Sequence, residues 1–175
     1  LRTTRPGYEP PFQSSPTLLS DDQVLQNLYY TYDPAGNVVE IQDDAYEPVF
    51  FKNQAVEAKS QFVYDAQYRL ITATGRENSN LGDNAPRQYE PDPFPTQFPV
   101  DSQALRNYRQ YYSYDCVGNI NEMRHAANGG GWTQNYAYAT DSNRLSSTWL
   151  GGDTVHAVVY QHDQRGNMRN LANVG

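Results

Sequence analysis

Four aspartates recur in one local setting and raise the question of carboxylate chemistry: Asp33, Asp65, Asp115 and Asp163. Glycoside hydrolysis needs two carboxyl groups facing each other across a cleft, one of them protonated. These four stand instead at one fixed place in a short cassette that recurs along the chain. An aspartate opening a four-residue turn accepts nearby backbone N–H groups, and that role accounts for all four at once. His125, His156 and His162 share no metal-ligand spacing on a common element, and His162 fills an aromatic slot of the cassette, where packing explains it. Asp43 and Asp44 with Glu40 lack the glycine and regular alternation of a calcium loop. Cys116 is the single cysteine, so no internal disulfide forms and the compartment is not revealed. Gly129-Gly130-Gly131 falls between strands rather than opening a phosphate-binding helix. No strand–elbow–helix context surrounds a nucleophile. The sequence therefore assigns no catalytic residue, cofactor or metal ligand.

The cassette is clearest at Tyr112-Ser113-Tyr114-Asp115-Cys116-Val117-Gly118-Asn119-Ile120. Tyr112 and Tyr114 are two apart and project to one face of a strand. Asp115 and Gly118 take the first and fourth places of a turn, where glycine tolerates positive φ. The same arrangement occurs at Tyr30, Tyr32, Asp33, Gly36 and Asn37, with Pro34 second in the turn, and at Tyr160, His162, Asp163, Gly166 and Asn167. Two variants lie between them. One runs from Phe62 through Tyr64 and Asp65 to Tyr68-Arg69-Leu70. The other runs from Tyr136 and Tyr138 to Asn143-Arg144-Leu145, without the Tyr-Asp pair and with one extra residue. Asn143 can adopt the left-handed conformation; Tyr68 does so less readily, which predicts a different turn type for the second copy. Spacings of 32, 50, 24 and 24 residues separate Tyr32, Tyr64, Tyr114, Tyr138 and His162. A period in the twenties stretched by insertions describes stacked hairpins.

The fold class is all-β, in tandem antiparallel hairpins. Fifteen tyrosines against six phenylalanines and two tryptophans suit half-buried strands, because the ring packs while the hydroxyl reaches water or a backbone partner. Strands are expected to end at Tyr32, Tyr64, Tyr114 and His162, with Tyr30, Tyr32, Tyr64, Tyr112, Tyr114, Tyr136, Tyr138 and Tyr160 forming an aromatic face. Residues 1–23 read as a proline-rich lead-in without regular structure, 24–75 as the first pair of repeats, 76–104 as a proline-rich inserted loop, and 105–175 as further repeats. In that loop Phe94 and Phe98 are expected to tie a surface excursion down. After the turns the apolar residues Val38/Ile41, Ile120/Met123 and Met168/Leu171 are three apart; either a bulge follows each turn or both faces are partly covered. The chain begins with Leu and both ends lie in irregular sequence, which reads as part of a longer polypeptide.

A net charge of −7 with no Lys/Arg cluster disfavours nucleic-acid binding. No stretch reaches transmembrane length, and no signal peptide is visible.

Over residues 24 to 171 the cassettes resemble the RHS or YD-repeat family. The stretches from Phe51 to Glu57 and from Tyr68 to Glu77 are similar to the C-component side of insecticidal toxin complexes. The resemblance implies a long sheet that spirals into a hollow shell around a toxic C-terminal segment, secreted as part of a toxin complex. Its partners would be the remaining repeats of the same or a partner subunit and the enclosed polypeptide. The downstream core whose aspartates release that segment has no counterpart here, so proteolysis carries over to no residue. The resemblance thus implies a non-catalytic structural segment. An extracellular module binding carbohydrate or protein through tyrosine-rich hairpins is the alternative, and a hydrolase using scattered carboxylates is a third. Cut from its neighbours, such an array exposes strand edges, so the isolated chain is expected to be marginally stable or self-associating.

Overall fold

A hairpin with a sharp aspartate-led turn and a bulge beside it is the unit from which this chain is built. The structure, a computed structural model, describes residues 2–4, 24–79 and 104–169. They form β1 (Arg2–Thr4), β2 (Val24–Tyr32), β3 (Val38–Asp43), β4 (Val49–Phe51), β5 (Gln54–Val56), β6 (Lys59–Tyr64), β7 (Leu70–Asn78), β8 (Leu105–Tyr114), β9 (Ile120–Ala127), β10 (Gly130–Tyr138), β11 (Leu145–Leu150) and β12 (Val158–Val159). Among the described residues there is no helix. Ten strands make one sheet in the order β1-β2-β3-β6-β7-β8-β9-β10-β11-β12, and β4 and β5 form a separate hairpin. Every pairing is antiparallel.

The three-residue apolar spacing has a single cause. Thr31 pairs with Glu40 but Tyr32 with Val38, so the return strand carries one extra residue. The same shift occurs at Tyr64 and Leu70, at Tyr114 and Ile120, and at Tyr138 and Leu145. A bulge therefore follows each of these four turns and restores Ile41 and Met123 to the face of Val38 and Ile120. Leu171 of the third expected pair lies outside the described residues.

The register divides the side chains between two faces. Tyr30 stands opposite Ile41, Phe62 opposite Ala73, Gln110 opposite both Ala73 and His125, and Tyr112 opposite Met123. His125 continues to Trp132, and Tyr136 to Thr148. This tyrosine face is one layer of side chains on one sheet, so little of it is sealed: Ala73 is the buried apolar residue on it, beside the buried polar groups Arg106, His125, Gln134 and Thr148.

Several expectations need correction. Arg2–Thr4 is a strand, not irregular lead-in: the β-branched Thr3 and Thr4 pair with the edge of β2. β7 continues beyond residue 75 to Asn78 because β8 starts at Leu105 and offers partners for Arg76, Glu77 and Asn78. Phe94 and Phe98 lie outside the described residues. The strand expected to end at His162 shrinks to Val158–Val159. Asp153 accepts the backbone N–H of His156 at 3.2 Å and contacts its Nδ1 at 2.7 Å, so a second turn uses the preceding residues. The last strand consequently stops short of His162, which forms one isolated bridge with Met168.

The β4–β5 hairpin leaves the sheet where Asp43 closes β3. Its Oδ1 accepts the N–H groups of Asn27 at 2.8 Å and Ala45 at 3.1 Å. Lys52 and Asn53, both at positive φ, make the two-residue turn. The hairpin lies against the face opposite the tyrosines, where Asn107 donates to the Ala55 carbonyl at 3.1 Å.

Candidate functional site

The turns share one hydrogen-bond pattern. In the first, Asp33 N–H donates to Asn37 O at 2.9 Å and Gly36 N–H to Asp33 O at 3.0 Å. Asp33 Oδ1 accepts from the N–H groups of Ala35 and Asn37 at 2.9 and 2.8 Å, and Oδ2 from the Asn37 amide at 2.8 Å. Asp115 with Val117 and Asn119, and Asp163 with Arg165 and Asn167, repeat this. Gly36, Gly118 and Gly166 take φ of 93°, 99° and 89°.

The second turn is not of another type. Tyr68 sits at φ 61°, and its N–H bonds Asp65 O at 3.0 Å as the glycines do. Asp65 Oδ1 accepts from Gln67 and Arg69, while Arg69 Nε and Nη2 both reach Oδ2 at 2.7 Å. A charge-assisted clamp of this kind offsets part of the roughly 1–2 kcal/mol cost of a left-handed residue. The fourth turn closes from Ala139 N–H to Arg144 O at 2.9 Å, one residue longer than the others. That length lets the chain reverse with Asn143 outside the positive-φ region, which it was expected to be able to use.

These bonds set the charge state of the aspartates. The Asn37 and Asn167 amides hold the Asp33 and Asp163 carboxyls below the usual range. The Arg69 backbone N–H leads the same effect at Asp65. At Asp115 burial acts upward, yet the Asn119 side chain and nearby N–H groups together bring the value down. Each is an ionised acceptor with both oxygens engaged, which is turn closure rather than proton transfer. The acidic group near β3 is engaged as well: Glu40 pairs with Lys59 at 2.9 Å and Gln61 at 3.0 Å, and Asp44 with Gln42 at 2.7 Å. Among the described residues no cluster of three His, Cys, Asp or Glu is arranged to hold a metal ion.

Adjacent hairpins are joined by the cassette tyrosines. Tyr64 Oη donates to Val38 O at 2.9 Å, Tyr114 Oη to Leu70 O at 2.7 Å, and Tyr138 Oη to Ile120 O at 3.0 Å. In each case the acceptor is the first residue of the preceding return strand. Burial pushes the hydroxyls of Tyr108, Tyr112, Tyr114, Tyr136 and Tyr138 above the usual tyrosine range, keeping them protonated donors. Tyr112 bonds Gln110 at 2.8 Å, and Tyr160 meets Thr148 at 3.1 Å. Tyr30 and Tyr32 stack at 6.4 Å on the β2 edge. Turns also touch directly. The Arg69 guanidinium lies 4.7 Å from the Tyr114 ring centre, Asn119 reaches Asn143 at 3.3 Å, and Arg144 crosses Gly166, 3.6 Å from where a Cβ would stand. The Arg-Leu copies thus each reach forward to a Gly-Asn copy.

One cluster escaped the sequence. At the sheet end away from these turns, Glu77 Oε1 meets Arg106 Nε at 2.7 Å and Oε2 lies 3.1 Å from His125 Nε2. Arg106 also donates to Asn128 O at 3.2 Å. His125 stacks on Trp132 at 5.2 Å with Tyr108 at 5.0 Å. Nearby, Ser79 N–H donates to Ala104 O at 2.7 Å, tying together the two ends of the long β7–β8 connection. The available signal was alternation, which places Ala73, Gly75 and Glu77 on one face of β7; no local motif marks their partners.

Comparison with known proteins now bears on this architecture. No family model matches the chain. It is 41% identical over 161 residues to the toxin subunit YenC1 of Yersinia entomophaga, covering 90% of this chain and 15% of that protein. It is 39% identical over 124 residues to the toxin subunit YenC2 of the same organism, covering 70% of this chain and 12% of that protein. The chain is a homologue of toxin subunits. It spans a minor part of their length, and its similarity covers most of the hairpin array.

Proposed function

We propose that this chain is a structural, non-catalytic segment of an RHS/YD-repeat shell. In this reading it belongs to a secreted toxin complex, and its sheet continues into further repeats that enclose a toxic polypeptide. The observation carrying the reading is the seam. Four successive hairpins are joined by three copies of the same Tyr-hydroxyl-to-carbonyl bond, a junction that can be repeated indefinitely as hairpins are added. The likeness to two toxin subunits supports the toxin role. The aspartates a hydrolase would use are engaged in turn closure, which supports a non-catalytic segment.

Limited proteolysis of the full-length subunit tests this reading. The enclosed polypeptide should resist digestion in the native subunit and become cleavable in variants that disrupt a turn and its seam together, such as Gly118→Val combined with Tyr114→Phe. Digestion at the same rate in native and opened subunits would overturn enclosure.

A further inference from the structure

Beside the buried charged cluster, β9 turns into β10 through two residues. Ala127 pairs with Gly130, so Asn128 and Gly129 are the whole of the turn. Asn-Gly occurs once in the sequence, and both residues are exposed. Gly129 takes φ of 84°. Asn128 O accepts from Arg106 Nη1 at 3.2 Å, which ties the turn to the pair of Arg106 with Glu77.

Two reactive groups of this turn stand next to each other and are held by nothing. Neither the Asn128 side-chain amide nor the Gly129 N–H makes a hydrogen bond among the described residues. Other asparagine amides are held, and bulkier residues follow them. Asn37, Asn119 and Asn167 donate to the turn aspartates and precede Val38, Ile120 and Met168. Asn135 donates to Gly151 O at 2.9 Å and precedes Tyr136. Glycine carries no Cβ to keep its nitrogen away from the preceding amide carbon, and an unheld amide is free to rotate toward that nitrogen.

We infer that Asn128 is a site of spontaneous modification: ring closure with Gly129 and hydrolysis convert it to isoaspartate and aspartate, and the isoaspartate loosens the β9–β10 hairpin. The Gly129 nitrogen gives its proton to water or hydroxide and attacks Asn128 Cγ. The N–Cγ bond forms as Cγ–Nδ2 breaks, and Nδ2 takes a proton from water and leaves as ammonia. Water then opens the cyclic imide. Addition at the main-chain carbonyl breaks its bond to Gly129 and gives isoaspartate; addition at Cγ gives aspartate. The sum is asparagine and water going to a carboxylic acid and ammonia, with no change of oxidation state. In isoaspartate the main chain runs through Cγ and gains a methylene. The carbonyl carbon that faced Arg106 becomes a carboxylate competing with Glu77 for the guanidinium. Loop length fixes hairpin register, so the longer turn no longer matches the Ala127–Gly130 pair. The site is local to one hairpin and independent of what the sheet encloses.

Ageing of the native full-length subunit at neutral and mildly alkaline pH tests this. Trypsin then releases the peptide from His125 to Arg144, which holds Asn128, Asn135 and Asn143. Fragmentation should show replacement of NH2 by OH at Asn128 alone, faster at the higher pH, with methyl transfer by an isoaspartyl methyltransferase marking the isoaspartate. Asn128→Gln should abolish the label. Conversion at Asn128 no faster than at Asn135 would overturn the inference, as would reaction in urea-unfolded chain but not in the native subunit. Aged wild type should also denature at a lower urea concentration than Asn128→Gln aged beside it. Equal midpoints after full conversion would overturn the loosening of the hairpin.

Discussion

The two ends of the sheet are held by opposite means. At the turn end, four aspartates close exposed loops through bonds reaching no more than four residues along the chain. At the other end, Glu77, Arg106 and His125 come from three strands, 29 residues apart at the ion pair, with side chains 12%, 7% and 3% exposed. The turn end repeats and tolerates substitution, as Tyr68-Arg69 in place of Gly-Asn demonstrates. Among the described residues the charged end occurs once, and each partner depends on the others. Repetition thus resides where closure is local, and the buried polar residues Arg106 and His125 lie where it is not.

If that contrast is sound, the largest losses belong to the charged end. Arg106→Ala removes the 2.7 Å partner of the poorly solvated Glu77 carboxyl, and should cost about 3–5 kcal/mol, the range for breaking one side of a buried pair. Urea denaturation would measure it, and a loss under about 1 kcal/mol would mean that the cluster is solvated in practice.

The turns should respond less and in both directions. Gly118→Val forces a β-branched residue to φ near 99° and should cost about 1–3 kcal/mol. Tyr68→Gly relieves a left-handed residue whose ring is 64% exposed, so a gain of up to about 1 kcal/mol is expected. Thermal melting of both variants would check the pair of signs, and destabilisation by Tyr68→Gly would show that the ring has a packing role.

Seam bonds are smaller still. Tyr114→Phe removes one hydroxyl donor and should cost about 1 kcal/mol, with a similar loss for Tyr64→Phe and Tyr138→Phe. Equal melting temperatures for Tyr114→Phe and the parent would break the argument that phenols join the hairpins.

The smallest effect is with acid. The depressed carboxyls of Asp33, Asp65, Asp115 and Asp163 contribute stability that is complete above the ordinary aspartate value of 3.8 and fades as pH falls through their lower folded values. Asp115→Asn should flatten the acid limb of a stability–pH curve slightly, while leaving it unchanged near neutrality in slope. A steeper limb in the variant would reverse the assigned sign.

The sequence by itself determined the hairpin unit. Asp, Gly and Asn at fixed offsets specify a turn whose bonds all lie within five consecutive residues, so Asp33 to Asn37 and Asp115 to Asn119 were legible without any neighbour. The same locality misled at Tyr68, whose unfavourable φ is partly offset by an Arg69 clamp that residue propensities do not describe. Only the tertiary structure decided the bulge beside each turn, the strand at Arg2–Thr4, the withdrawal of β12 from His162, and the meeting of Glu77 with Arg106 and His125. Each of these depends on which strand lies alongside and in what register. Register is set by pairing across the sheet, between residues whose separation along the chain leaves no local mark.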